Sequence, residues 1–95
     1  MSETENQDLL AMTHLGEEPS KYMKSVTPPI FMNSLHVFDT VDEYFSVDIF
    51  QDEYYYGRAS NPTVAILEKK LAALEHGVRA VAFSAGMAAC TAAIM

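Results

Sequence analysis

Ninety-five residues suffice for one small domain or one piece of a larger protein. Hydrophobic residues make up 49% and charged residues 20%, which is a globular rather than a disordered composition. The net charge of −7 argues against nucleic acid as a partner, because neutralising phosphates needs clustered Lys and Arg.

The first eight residues are polar and are expected to fray. This amino-terminal stretch, MSETENQDLL, has no basic n-region or apolar core of a secretion signal. No apolar run in the chain approaches the roughly 20 residues that span a membrane. The expectation is a cytoplasmic protein without a membrane partner. Residues 8–16, DLLAMTHLG, predict a short helix closed by Gly16, with Leu9, Leu10 and Met12 on its apolar side. EEPSKYMKSVTPP then reads as an exposed connection, and Pro28-Pro29 excludes regular helix there. IFMNSLHVF (30–38) is rich in large apolar groups without clear periodicity. TVDEYFSVDIF (40–50) predicts a short helix opened by Asp39 or Thr40. The six acidic residues from Asp39 to Glu53 lack the alternating oxygen ligands and central glycine of a calcium loop, so they read as a solvated face. Residues 1–53 hold no self-sufficient core and read as an arm that lies against something else.

From residue 61 the signals sharpen. Asn61 is a good helix cap and Pro62 suits the first helical position, where its missing N–H costs nothing. In PTVAILEKKLAALEHG, Val64, Leu67, Leu71 and Leu74 recur at three and four, predicting a helix over 62–76 with one buried stripe. Gly77 is the natural residue just past its end. VRAVAFS predicts a β-strand over 78–84, and the small residues after Gly86 predict a tightly packed helix over 86–95. Helix, strand, glycine turn and helix make an α/β pattern that implies a parallel sheet. TAAIM carries no helix-stop signal, so the expectation is the front part of a longer protein. Cys90, the single cysteine, excludes an internal disulfide and reads as a buried, inert thiol.

Two stretches suggest anion chemistry. In FSAGMAA a strand turns into a helix at Gly86, so the backbone amides of Gly86 and Met87 would face outward at the positive end of the helix dipole. Such turns also serve plain packing, and neither a P-loop nor a GxGxxG fingerprint is present. In YYYGRASNPT (54–63), an extended Tyr56-Gly57-Arg58 would turn a phenol and a guanidinium to the same side, with Cα atoms roughly 7 Å apart. The alternative is that Tyr54, Tyr55 and Tyr56 simply pack while Arg58 is solvated. His14, His36 and His76 share no metal-ligand spacing with each other or with Cys90. None of Lys21, Lys24, Lys69 and Lys70 lies in an evidently desolvated setting that would suit Schiff-base chemistry.

TPPIFMNSLHVFDT, YYGRASNPTVAILEKKLAALEHG and AVAFSAGMAA, in that order, resemble the start of the Cys/Met-metabolism enzymes that use pyridoxal phosphate (PLP). These include cystathionine γ-synthase, cystathionine β-lyase, cystathionine γ-lyase and methionine γ-lyase. His14-Leu15-Gly16 also fits, so the similarity runs from about residue 10, and Tyr56 to Thr63 is its most specific part. The resemblance implies fold-type I, the aspartate-aminotransferase type. Residues 1–53 would be an amino-terminal arm embracing a partner, and residues 54–95 the start of the large PLP-binding domain. It implies that Tyr56 and Arg58 reach the cofactor phosphate of a neighbouring subunit, while the amides of Gly86 and Met87 hold the phosphate of their own. Homodimers paired into a homotetramer follow, and Tyr56 gains a catalytic role near the substrate. The implied reaction is β- or γ-elimination or replacement on a sulfur amino acid such as cystathionine, cysteine, homocysteine or methionine. The family's Schiff-base lysine, pyridinium-pairing aspartate and ring-stacking aromatic match no residue here, so the resemblance implies that these 95 residues alone are inactive. A truncated, non-catalytic assembly segment is the alternative, and a generic phosphate-binding module a more distant one.

Overall fold

A computed structural model describes residues 2–95 and, at Phe50, the backbone only. Helix α1 (Glu3–Thr13) starts earlier than the apolar pattern suggests. Its origin is a reciprocal capping box: the Glu5 amide donates to Ser2 Oγ at 3.1 Å, and the Ser2 amide donates to Glu5 Oε2 at 3.0 Å. The residues expected to fray are therefore helical. The helix stops at His14, and Gly16 takes the left-handed conformation (φ 80°) in the turn that follows.

Helix α2 (Val41–Phe45) is one short turn capped by Thr40, whose hydroxyl accepts from the Glu43 amide at 3.1 Å. Asp39 contributes its own amide to Glu43 Oε2 at 3.2 Å. Two 3₁₀ turns, Pro19–Tyr22 and Ile49–Gln51, punctuate the connections. Helix α3 (Pro62–Leu74) begins where proline is free to start it, and the Thr63 amide donates to Asn61 Oδ1 at 2.8 Å. At its far end the Gly77 amide donates to the Ala72 carbonyl at 2.8 Å and the His76 amide to the Ala73 carbonyl at 3.2 Å. This is the paired bonding of a Schellman terminus, and it puts His76, not Gly77, in the left-handed position (φ 54°). Helix α4 (Gly86–Ile94) closes the described chain.

The contacts form two compact units. One contains residues up to Leu15 together with Leu67–Met95; the other is Gly16–Ile66. In the first, Lys70 Nζ donates to the Thr13 carbonyl at the end of α1 (3.1 Å), and Glu68 Oε2 accepts from the Ala82 amide (2.7 Å). In the second, Tyr44 gathers Phe38, Phe45 and Tyr55 edge-on at centroid distances of 5.3–6.2 Å.

Three expectations are corrected by the structure. Residues 78–84 are irregular, and the described residues form no strand, only one isolated antiparallel bridge between Leu35 and Tyr56. A strand exists by pairing, and among the described residues 78–84 has no partner strand. The α3 stripe is not buried: Val64, Leu67 and Leu71 are 41%, 50% and 43% exposed. Cys90 is exposed, as is every other residue of α4, because no described residue covers that helix. Ala11 is the one buried apolar residue among those described.

Candidate functional site

The segment leading into α3 is shaped by hydrogen bonds from both sides. Tyr56 pairs with Leu35 in the isolated bridge, and the Gly57 amide donates to the Ser34 carbonyl at 2.7 Å. The chain does not continue extended. The Tyr56 carbonyl accepts from the amides of Ala59 (2.9 Å) and Ser60 (3.1 Å), folding residues 57–59 into a turn. The strand-like alternation expected for Tyr56 and Arg58 is thus replaced by a tight reversal. The two side chains nevertheless meet, with the Arg58 guanidinium carbon 5.9 Å from the centroid of the Tyr56 ring.

The three adjacent tyrosines divide their work. Tyr54 stacks obliquely on His36 at 5.9 Å, and Tyr55 packs edge-on against Tyr44. These two follow the packing alternative. Tyr56 is half-buried beside a guanidinium that is itself exposed and makes no ion pair with any described residue. A cation held over an aromatic face and left without a carboxylate is chemically suited to an anion from outside the unit.

In the other compact unit, α4 begins at Ala85, which offers no side-chain cap. The first backbone bond of this helix runs from the Ala89 amide to the Ala85 carbonyl at 3.2 Å. The amides of Gly86, Met87 and Ala88 precede it, and among the described residues none of them has an acceptor. A Cβ added at Gly86 would meet nothing within 4 Å, so the approach to these amides is open. Uncapped N–H groups at the positive end of a nine-residue helix fit a phosphate group.

Asn61, expected as a helix cap, and Thr63, expected within that helix, also anchor a distant segment. Asn61 Nδ2 donates to the Phe31 carbonyl at 2.9 Å, and Thr63 Oγ1 accepts from the Phe31 amide at 2.9 Å. The Thr63 hydroxyl donates in turn to the Pro29 carbonyl at 3.2 Å. The available sequence signal was the pair of short polar side chains flanking Pro62, which can satisfy backbone groups outside the helix as readily as inside it. Ser60 Oγ is buried without a hydrogen-bond partner among the described residues.

The sequence profile of the Cys/Met metabolism PLP-dependent enzymes matches residues 10–95. The chain belongs to this family. Within the Cys/Met metabolism family it is similar to an L-methionine gamma-lyase of Pseudomonas deceptionensis, 40% identical over 82 residues, which are 83% of this chain and 20% of that protein. It is similar to the homocysteine synthase of Schizosaccharomyces pombe, 39% identical over 77 residues, covering 80% of this chain and 18% of the relative. A putative cystathionine gamma-lyase 2 of Caenorhabditis elegans is 40% identical over 85 residues, 88% of this chain and 20% of its own length. The chain therefore spans about a fifth of the length of the curated relatives it matches. No described helix is long and apolar enough to cross a membrane.

Proposed function

We propose that this chain supplies part of the cofactor-phosphate site of a PLP-dependent lyase or transferase acting on sulfur amino acids. The reaction class is β- or γ-elimination or replacement on a substrate of the cystathionine, cysteine, homocysteine or methionine type. PLP, when bound, supplies the electron sink for this chemistry. The amides of Gly86 and Met87 hold the phosphate in their own subunit. Tyr56 and Arg58 hold the phosphate of a neighbouring subunit, and Tyr56 lies close enough to the substrate there to take part in catalysis. Residues 1–53 act as the embracing arm, and 54–95 open the large domain of a fold-type I enzyme. In that setting 78–84 becomes a strand once other strands pair with it. The assembly is a cytoplasmic homotetramer built from dimers.

The observation that carries this reading is the uncapped start of α4, three unclaimed amides in a chain of a PLP-dependent family. Arg58, held over Tyr56 and without an ion pair among the described residues, supports it from the other unit. Arg58→Ala in the full-length protein is expected to weaken PLP binding by about tenfold to a hundredfold, the scale of a hydrogen bond to a charged group. Titrating the apo protein with PLP measures this, and an unchanged dissociation constant would overturn the phosphate role of Arg58. Release of sulfide or thiol from the candidate amino acids identifies the substrate.

A further inference from the structure

We infer that Asn61 and Thr63 are positioning residues for the Tyr56–Arg58 pair, acting through the backbone of Phe31. The inference rests on the phosphate reading of that pair. Phe31 presents an amide and a carbonyl as a strand edge would, and both are satisfied by side chains: Thr63 Oγ1 takes the amide and Asn61 Nδ2 serves the carbonyl, each at 2.9 Å. The Thr63 hydroxyl is used twice, because it also donates to the Pro29 carbonyl. A short way along the same segment, the Ser34 carbonyl accepts from Gly57 and Leu35 bridges to Tyr56.

These bonds close a ring. It runs from Phe31 along the chain to Ser34, across to Gly57, through the turn to Asn61, and back across to Phe31. Arg58 lies on the short arc between the two crossings. Among the described residues that arc is held internally only by the two bonds to the Tyr56 carbonyl, so its ends set where the guanidinium goes. Releasing the Asn61–Thr63 end leaves Arg58 on a turn anchored at one side. The entropy of holding it in place then falls on phosphate binding.

The test is a double-mutant cycle in the full-length protein, read as the PLP dissociation constant of the apo form. Thr63→Val keeps the shape and removes both hydroxyl bonds; it is expected to weaken PLP about tenfold, the scale of one lost hydrogen bond. Thr63→Ser keeps the hydroxyl and should stay within about twofold of the parent. In an Arg58→Ala background, Thr63→Val should lose most of its effect, since the residue it positions is gone. If Thr63→Val does not fold, Asn61→Ser carries the same cycle, because serine still caps the helix but is too short to reach the Phe31 carbonyl. An equal loss with and without Arg58, or no loss at all, overturns the positioning role while the phosphate reading stands. If Arg58→Ala alone leaves PLP affinity unchanged, the phosphate role of Arg58 falls and takes this inference with it.

Discussion

Gly57 has no room for a side chain. A Cβ built there would lie 2.6 Å from the Asn33 carbonyl oxygen and 3.4 Å from the Ser34 Cα, and both contacts are backbone. The neighbour cannot swing aside as a flexible side chain would, because Ser34 is bonded to the Gly57 amide. Gly57→Ala should therefore spread the Leu35–Tyr56 bridge and cost about 1–3 kcal/mol, as overpacking does. Denaturant unfolding of the full-length protein measures it, and a loss under about 0.5 kcal/mol would show that the segment gives way freely. Tyr56 and Arg58 were legible as a pair from composition and spacing, but not their geometry. Strand alternation predicted it wrongly because the Tyr56 carbonyl takes the amides of Ala59 and Ser60, which reverses the chain just after Gly57 is tied to Ser34. The ion pair of Lys21 with Glu18 (2.7 Å) is a weaker matter. The hydrogen bond and then the charge of Glu18 raise the Lys21 pKa above 10.5, yet both side chains are largely exposed and screened. Since the folded value is the higher one, any stability from the pair is present below 10.5 and fades as pH rises through the raised value. Glu18→Gln should leave thermal stability at neutral pH within about 0.5 kcal/mol.

At the scale of elements, what was readable were the features that local chemistry decides. Asn61 and Pro62 open α3 and Thr40 caps α2 through side chains at the helix ends, while α4 starts at Gly86 without a side-chain cap. The early start of α1 was also written locally, as Ser2 and Glu5 at capping-box spacing, but the missing apolar periodicity before Leu9 hid it. The end of α3 misled for a different reason. A glycine stood where a left-handed residue was expected, and the chain put His76 there instead, leaving Gly77 to close the outer bond. A residue with a Cβ in that conformation carries roughly 1–2 kcal/mol of strain. His76→Gly should thus stabilise the full-length protein, less the backbone entropy that glycine adds to the unfolded chain. A gain of about 1 kcal/mol by denaturant unfolding is expected, and a loss would mean that the imidazole has contacts worth more than the strain. The strand read from the sequence over 78–84 did not form, since pairing belongs to two segments and only one is present among the described residues.

For the molecule as a whole, the deciding quantity is apolar surface. Leu10, Val37, Phe45, Val78, Met87 and Ile94 are each more than 60% exposed, and Ala11 is the only buried apolar residue among those described. Fully burying a Leu, Val or Phe side chain stabilises by about 1.5–3 kcal/mol, and a domain's net stability is only some 5–15 kcal/mol. A handful of unburied side chains therefore equals the whole margin. The net charge of −7 opposes association through long-range repulsion, but it is screened at physiological salt, whereas apolar contact is not. The surface term should win. The 95-residue chain made alone is expected to keep helical far-ultraviolet dichroism, lose near-ultraviolet dichroism and bind anilinonaphthalene sulfonate, or to self-associate in sedimentation. The full-length protein should bind far less dye per chain, since further chain or a second copy covers those faces. A monomer of the isolated chain with sharp near-ultraviolet dichroism and no dye binding would show that it folds by itself. The exposed α3 stripe would then need no cover, and the arm-and-large-domain reading would lose its physical basis.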